Sequence, residues 1–242
     1  MIRLLSGEIY RLLRKRSAYI FFGAVAAGYF FVAFIRSGGF GAGSVVNDAY
    51  NFFMFLPPVA GGFWFTAVYT DDLNSKNLTA LVGYGCGKTR IIAAKFILAA
   101  IANAAVVFTA PLYHIAVYTL FGQAASPGET AIVYAAATKY FLMITAYSSA
   151  AAIAVYGTQR ATFAVVTYIL LAFNVIGGLA AAAAGSFAPN VSKYLASGIT
   201  DKVTAKILSG VFPARPLAEY AAYIIITAAL SAFAFHKKET EF

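Results

Sequence analysis

Long apolar runs recur along the whole sequence and constrain its fold more than any other feature. A helix needs roughly 20 apolar residues to cross a hydrocarbon core of about 30 Å. Only 11% of the residues are charged and 61% are hydrophobic, whereas about a quarter of the residues in soluble domains are charged. The sequence therefore predicts an integral membrane protein. Six runs approach or exceed the length of a span, at residues 17–35, 52–69, 91–121, 130–156, 161–184 and 217–235.

These runs are predicted to be helical. Lipid offers the backbone no hydrogen-bond partner, so only helices and closed barrels cross it, and the sequence lacks the alternating pattern of barrel strands. We therefore expect an all-α polytopic membrane protein with six transmembrane helices, in a single transmembrane domain that covers residues 1–242. The third run is too long for one perpendicular crossing, so it must tilt, project from the bilayer or bend at Pro111.

The basic residues predict the orientation of the spans. Positively charged segments stay on the cytoplasmic side of a membrane. With the N-terminus inside, most basic residues fall in the inner segments, and most of the outer ones lie in the long loop before the last run, where the rule is weak. Both termini are therefore expected in the cytoplasm, with no cleavable signal peptide. The net charge of +9 indicates topology and contact with membrane lipid, not nucleic-acid binding.

The N-terminal segment, residues 1–16, predicts an amphipathic helix. Its charged residues lie largely opposite an apolar stripe, so the helix should lie in the membrane plane with its basic side at the cytoplasmic headgroups. It serves either as a topogenic anchor or as a mechanical element, and the sequence leaves both open. The stripe consists of Ile2, Leu5, Ile9, Leu12 and Leu13.

Residues 70–90 connect the second and third runs and predict a short cytoplasmic helix. Leu78, Leu81 and Val82 have helical spacing, and Gly83 is placed to end the helix. A short amphipathic helix held away from the membrane between two spans is suited to docking another protein. A plain solvated loop is the alternative.

The stretch GYGCGKTR that follows looks like a nucleotide-binding loop, but its spacing is wrong. The phosphate loop requires glycine five positions before the last glycine, and Val82 stands there. Lys88 and Arg90 fall at the cytoplasmic end of the third run. Lys95 lies about one turn further in, where we expect its side chain to reach back to the interface. We therefore expect no nucleotide on this chain itself.

Residues 185–216 form the external segment before the last run. Apolar positions recur there at three- and four-residue steps, separated by lysines, until Pro213 and Pro216 break the pattern. One or two amphipathic helices that lie on or dip into the outer leaflet are predicted. They act either as a lid over an exit path or as interfacial packing. The apolar positions are Val191, Tyr194, Leu195, Ile199, Val203, Ile207, Leu208 and Val211.

The order of these segments resembles that of the type-2 permease subunits of ATP-binding-cassette exporters. The matching pieces are RLLSGEIYRLLRKRS, the acidic pair Asp71 and Asp72, the loop LNSKNLTALVGYGCGKTRIIAAK, and the amphipathic stretch before the last run. The likeness covers the whole chain as architecture, and its motifs are concentrated in residues 1–20 and 69–95. The Gly-Cys-Gly turn departs from the pattern, since related permeases often have Ser or Pro there.

The resemblance implies an elbow helix in residues 1–16, a coupling helix in residues 70–90 and re-entrant helices in residues 185–216. It implies a second permease subunit, identical or paralogous, and a separate ATP-binding-cassette ATPase subunit that holds the ATP and magnesium. The chain itself would be no enzyme and hold no cofactor or metal. It would export an amphipathic substrate, such as a peptide or an antibiotic, across the bacterial cytoplasmic membrane. The residues implied in coupling to the ATPase are Asp71, Asp72, Leu78, Leu81, Val82, Lys88 and Arg90.

Polar residues within the runs are candidates for a translocation path, because ionisable groups in a bilayer are costly and usually functional. Asn103, His114 and Lys139 are these candidates. A structural role is the alternative for each: Lys139 lies near enough to the outer end to reach the interface, and neighbouring helices can satisfy Asn103 and His114. No second histidine or carboxylate stands at metal-ligand spacing from His114.

Two other classes of protein are alternatives to a permease. An intramembrane hydrolase needs a Ser/His pair, an Asp dyad or a metal motif, and the six runs contain no Asp, no internal Glu and one well-embedded histidine. A regulatory or immunity membrane protein, which binds a peptide without transporting it, is the alternative function. It would need no coupling helix.

Overall fold

The computed structural model describes residues 2–41, 43–74, 77–184 and 195–237. These residues form helices and connecting turns, with no strand among them, so the expected all-α fold is confirmed for the described chain. The helices are α1 (Ile2–Leu13), α2 (Arg16–Arg36), α3 (Ser44–Phe53), α4 (Gly62–Phe65), α5 (Asp71–Asn74), α6 (Asn77–Gly83), α7 (Lys88–Leu120), α8 (Pro127–Thr158), α9 (Ala161–Ala172), α10 (Val175–Ala184), α11 (Ala196–Leu208) and α12 (Ala214–Lys237).

Five helical segments are long and apolar enough to cross a membrane, which fits a membrane-spanning protein. They correspond to the first four predicted runs and the last one. The third of them, α7, continues as one helix through Pro111. The five segments are Arg16–Gly39, Ser44–Leu73, Lys88–Leu120, Pro127–Thr158 and Ala214–Lys237.

The run predicted to cross at residues 161–184 is divided into two helices. α9 has 12 residues and α10 has 10, and each is too short to span a bilayer alone. The chain breaks at Asn174, whose φ of 56° is left-handed and ends an α-helix. The sixth crossing therefore stays a prediction.

The second spanning segment begins earlier than the hydropathy predicted. It starts at Ser44 instead of Phe52, so the helical segment includes Asp48, which lies outside the predicted run. Polar residues in its first turns lower the hydropathy of the sequence there. The side chain of Asp48 is nevertheless buried, because Arg36 and Tyr118 provide partners for its carboxylate.

Two π-helical turns interrupt this same segment, at Pro57–Gly61 and Thr66–Thr70. Pro57 and Pro58 lack the N–H that continues an α-helix. The hydroxyl of Tyr168 on α9 donates to the carbonyl of Pro57 at 2.8 Å. A side chain at Gly61 would place its Cβ 2.0 Å from that hydroxyl. The close contact between the second spanning segment and α9 thus depends on glycine at this position.

The long helix α8 lies at the centre of the bundle. It packs against α3, α7, α9, α11 and α12. Its buried face is rich in small residues, which allow neighbouring backbones to approach closely. Helices α2 and α12 are mostly exposed by comparison, so their apolar surfaces are available to lipid or to other membrane helices. The small buried residues of α8 are Ala135, Ala136, Ala137, Ala146, Ser148, Ser149, Ala151 and Ala152.

The described part of the external segment is α11, which packs on the bundle against α8 and α12. Ile199 and Val203 are buried in that contact, and Lys202 pairs with Glu219 of α12 at 2.9 Å. A helix was predicted here and is present, whereas its position at the outer leaflet stays a prediction. Val191 and Tyr194 of that prediction lie outside the described residues.

Candidate functional site

Four charged side chains, three of them buried, form an ion-pair network where α1 meets the bundle. Arg11 pairs with Glu8 at 2.7 Å and with Asp72 at 2.9 Å. Lys95 pairs with Glu8 at 2.9 Å and also with Asp72. The network, defined as Glu8, Arg11, Asp72 and Lys95, connects α1, the end of the second spanning segment at α5, and the first turns of α7. Two carboxylates thus alternate with two cations.

The amphipathic sequence of α1 places part of this network. Leu12 is buried, and Leu5 and Ile9 pack against the same core. Glu8 lies on the same inward side, although the sequence placed it with the charged residues facing the headgroups. That placement is wrong for Glu8, which pairs with Lys95 inside the protein. Arg11 reaches Asp72 but stays about one-third exposed.

Lys95 also differs from its predicted position. We expected its side chain to extend to the membrane interface, but it is only 3% exposed. A buried ammonium group is costly unless it is paired, and the carboxylates of Glu8 and Asp72 supply that pairing. The sequence marked Lys95 as unusual without showing its partners.

The two adjacent acids, Asp71 and Asp72, point to different surroundings. The side chain of Asp72 is 2% exposed and belongs to the network, and the amide of Asn77 on α6 donates to it at 3.3 Å. Asp71 is 34% exposed and pairs with Lys15. Of the two acids implied in ATPase coupling, only Asp71 is therefore accessible to a second protein.

Helix α6 occupies the predicted position of the short loop helix. Leu78 is buried, while Leu81 and Val82 pack half-buried against the core that includes α1 and α7. These three residues hold α6 to the bundle. The surface that α6 presents outward includes Ala80 and Gly83, followed by Tyr84, which is 87% exposed.

Tyr84 was missed by the sequence analysis. The signal was available, since a large aromatic residue stands between two glycines in a polar connection. Lys88, by contrast, is turned inward: its ammonium donates to the carbonyl of Phe235 at 2.9 Å and lies 5.0 Å from the centre of that ring. Arg90 is exposed. The accessible polar and aromatic groups at this end of the bundle thus include Asp71, Tyr84 and Arg90.

The three candidate path residues lie in separate environments. His114 is fully buried, with its Nε2 at 2.8 Å from the carbonyl of Val45. Lys139 pairs with Asp201 of α11 at 2.6 Å. Asn103 is buried, and its amide finds no hydrogen-bond partner among the described residues. No ion pair or hydrogen bond within the described chain joins the three.

A second polar cluster was not anticipated from the sequence. It contains Asp48, which pairs with Arg36 and accepts a hydrogen bond from Tyr118, and it continues through Tyr29 to His114. Within the described ranges, no group of three or more His, Cys, Asp and Glu side chains is arranged to hold a metal ion.

Comparison with known proteins gives no relative. No protein-family model matches the sequence, and no curated protein or solved structure matches it significantly. A function for this chain must therefore be inferred from its own residues and their contacts.

Proposed function

We propose that the chain is the transmembrane permease subunit of an ATP-binding-cassette exporter. It moves an amphipathic substrate, such as a peptide or an antibiotic, out of the cell, and a separate subunit hydrolyses the ATP. The observation that carries this proposal is the ion-pair network that joins α1, α5 and α7 beside α6. The second spanning segment, the third one and the N-terminal helix are thereby tied together at one end of the bundle.

The network suits α6 to transmit a movement into the membrane. Helix α6 sits in the connection between α5 and α7, and Leu78 anchors it to their common core. Breaking a buried ion pair leaves an uncompensated charge and costs about 3–5 kcal/mol. A displacement of α6 therefore moves α5, α7 and α1 together instead of being absorbed by the connection.

An ATPase subunit would contact the outward surface beside α6. Tyr84 and Arg90 offer an exposed aromatic ring and an exposed guanidinium there, the residue types that most often dominate binding between proteins. Asp71 adds an accessible carboxylate. In this proposal Leu78, Leu81, Val82, Asp72 and Lys88 act through position, since they hold the contact surface to the spans.

The proposed membrane arrangement has six crossings, with α9 and α10 together providing the fifth. Both termini and α6 then lie in the cytoplasm, and α11 lies outside. Two permease subunits, identical or paralogous, pair in the bacterial cytoplasmic membrane. The apolar surfaces of α2 and α12, which are mostly exposed in the single chain, are available for that pairing and for lipid.

Purification from native membranes tests the proposal. We expect an ATP-binding-cassette ATPase to co-purify and its ATP hydrolysis to increase when the two are reconstituted in lipid. Tyr84→Ala and Arg90→Glu should each lower the stimulated rate at least about fivefold, the effect of losing one dominant interface residue. Lys206→Glu is the matched control, because Lys206 is exposed on α11 and should leave the rate unchanged.

Two results would contradict the proposal. One is the absence of any ATPase, which favours a regulatory or immunity protein that binds a peptide without transport. The other is an ATPase whose stimulation survives both Tyr84→Ala and Arg90→Glu, which places the contact elsewhere.

A further inference from the structure

The second polar cluster lies at the end of the spans opposite to the ion-pair network. Arg36 ends α2 and Asp48 lies in α3 at the beginning of the second spanning segment, whereas Arg11 precedes α2 and Asp72 follows that segment's apolar part. The carboxylate of Asp48 pairs with Arg36 and accepts a hydrogen bond from Tyr118 of α7. Charged groups within a spanning segment are costly and usually functional.

The two charged side chains of this cluster differ in exposure. The side chain of Asp48 is 7% exposed, while that of Arg36 is 55% exposed. A long arginine side chain at the end of a span can extend toward the interface. The cation can therefore leave its partner at little steric cost, whereas the carboxylate is fixed within the protein.

A cavity of about 390 Å³ opens beside this carboxylate. That volume lies within the range of small-molecule sites, roughly 300–1,000 Å³. Its walls combine one carboxylate and one guanidinium with aromatic rings and aliphatic side chains. The residues that define it chemically are Tyr29, Arg36, Asp48, Phe52, Phe55 and Tyr118.

The aromatic walls favour a positively charged occupant. The rings of Tyr29 and Phe52 lie with their centres 4.0 Å apart, and Phe40 stacks on Tyr118 at 4.6 Å. The faces of aromatic rings attract cations, most strongly when water is excluded. A carboxylate among aromatic rings is therefore suited to an ammonium or guanidinium group attached to an apolar body.

His114 contacts Tyr29 beside the cavity, and both of its ring partners are uncharged. Its Nε2 lies 2.8 Å from the carbonyl of Val45, and since a carbonyl only accepts, Nε2 carries the proton. The hydroxyl of Tyr29 contacts Nδ1, where it donates to a neutral imidazole or accepts from a protonated one. The charged groups facing one another at the cavity are Asp48 and Arg36.

We propose that this cavity binds an amphipathic organic cation, whose ammonium or guanidinium group replaces Arg36 on Asp48. The apolar part of the ligand lies among Tyr29, Phe52 and Phe55. The claim that this cation is a transported substrate rests on the proposed export function. The claim that the cavity binds a cation depends only on the cavity and its charged residues.

Binding of octylammonium to the purified chain tests the site. The chain is placed in nanodiscs of zwitterionic phosphatidylcholine, binding is measured by equilibrium dialysis against empty nanodiscs, and octanol serves as the uncharged probe of equal length. We expect saturable binding of octylammonium that Asp48→Asn weakens at least about tenfold, the effect of losing a charge-assisted hydrogen bond. Asp201→Asn removes a carboxylate outside the cavity and should leave binding unchanged.

Arg36→Gln should change the affinity for octylammonium in the opposite direction, which provides a second test of the site. It removes the internal competitor, so octylammonium should bind several-fold more tightly. If Asp48→Asn does not fold, this variant alone decides: tighter binding supports the site, and unchanged or weaker binding overturns it. Equal binding of octanol, or binding that Asp48→Asn leaves intact, also overturns it.

The two proposals fail separately in this design, because octylammonium binding requires no ATPase. Carboxylate-dependent binding without an ATPase partner retains the site and contradicts export. A stimulated ATPase without carboxylate-dependent binding retains export and contradicts the site.

Discussion

At Gly61 the second spanning segment approaches α9 with no room for a side chain. A Cβ there would lie 2.0 Å from the Tyr168 hydroxyl and 2.8 Å from a methyl group of Ile144. Tyr168 cannot easily withdraw, because it is buried and its hydroxyl donates to the carbonyl of Pro57. At the neighbouring Gly62 the nearest atom would be 3.7 Å away, an ordinary contact.

Gly61→Ala should therefore destabilise the chain by about 1–3 kcal/mol, the usual cost of overpacking a core. Gly62→Ala should be neutral or slightly stabilising, because alanine favours helix more than glycine does. Thermal unfolding in detergent, followed by circular dichroism, compares the two. Tyr168→Phe should partly relieve the cost of Gly61→Ala by removing the clashing oxygen. Equal midpoints for Gly61→Ala and Gly62→Ala would contradict this packing.

Lys95 holds two buried carboxylates at once. Lys95→Met should lower the free energy of unfolding by about 3–5 kcal/mol, because Glu8 and Asp72 lose a buried counter-charge. Lys206→Met, at an exposed position of α11, should have little effect. The same unfolding assay measures both. A small effect of Lys95→Met, similar to the control, would show that the network does not stabilise this end of the bundle.

At the scale of single residues, the sequence showed which ionisable side chains are unusual better than it showed what they contact. Lys95 and His114 were marked because an ionisable group in an apolar run is unusual. Their contacts join segments far apart in the chain, such as Lys95 with Glu8 and His114 with Val45, and no local pattern encodes those distances. Asp48 was missed because polar residues near it lower the hydropathy, so the predicted run began only at Phe52.

Among the elements, α8 has a well-defined beginning. The hydroxyl of Ser126 accepts from the backbone N–H of Glu129 at 3.2 Å, and the Glu129 carboxylate accepts from the backbone N–H of Ser126 at 2.9 Å. This reciprocal arrangement is a capping box. It fixes where the central helix of the bundle starts.

Ser126→Ala should cost about 1 kcal/mol through loss of that cap. Ser126→Asp should retain most of the stability, since aspartate is an equally good N-cap. The midpoints of thermal unfolding of the two variants should therefore differ. If both fall by the same amount, the cap does not determine the stability of α8.

Element by element, hydropathy predicted the five long apolar segments and the period of α1. It did not predict the break between α9 and α10, although Asn174 is a polar residue within an apolar run, and asparagine adopts the left-handed conformation more readily than most residues. It also placed Glu8 on the wrong side of α1, since the helical period gives the faces of a helix but not what each face meets.

For the whole molecule, the side of the membrane on which α11 lies depends on whether α9 and α10 together cross it. Between Cys86 and Phe212 the described chain contains α7, α8, the pair α9 and α10, and α11. If that pair crosses, the two residues lie on opposite sides of the membrane. If it does not, they lie on the same side.

Cysteine labelling in intact cells distinguishes these arrangements. Cys86 is the single cysteine of the chain, and Phe212 is exposed. A membrane-impermeant maleimide should label Phe212→Cys, in a Cys86→Ser background, without permeabilisation. Cys86 should be labelled only after permeabilisation. Labelling of both positions from one side would contradict six crossings.

Sequence and structure support the proposed function of the whole molecule in different ways. The order of segments suggested an exporter permease, and the ion-pair network joins α1, α5 and α7 beside α6. The predicted coupling residues include inward-facing anchors such as Leu78. The sequence contained a signal for Tyr84, but the structure was needed to show that its ring is exposed beside α6.

The most direct measurement is crosslinking from Cys86, which lies two residues from Tyr84. A short photo-activated crosslinker is attached to Cys86 in native membranes, and the conjugate is identified by mass spectrometry. The account predicts a conjugate with an ATP-binding-cassette ATPase that is absent when the crosslinker is attached at Phe212→Cys in a Cys86→Ser background. A conjugate with no such ATPase from Cys86, or the same ATPase from both positions, would contradict it.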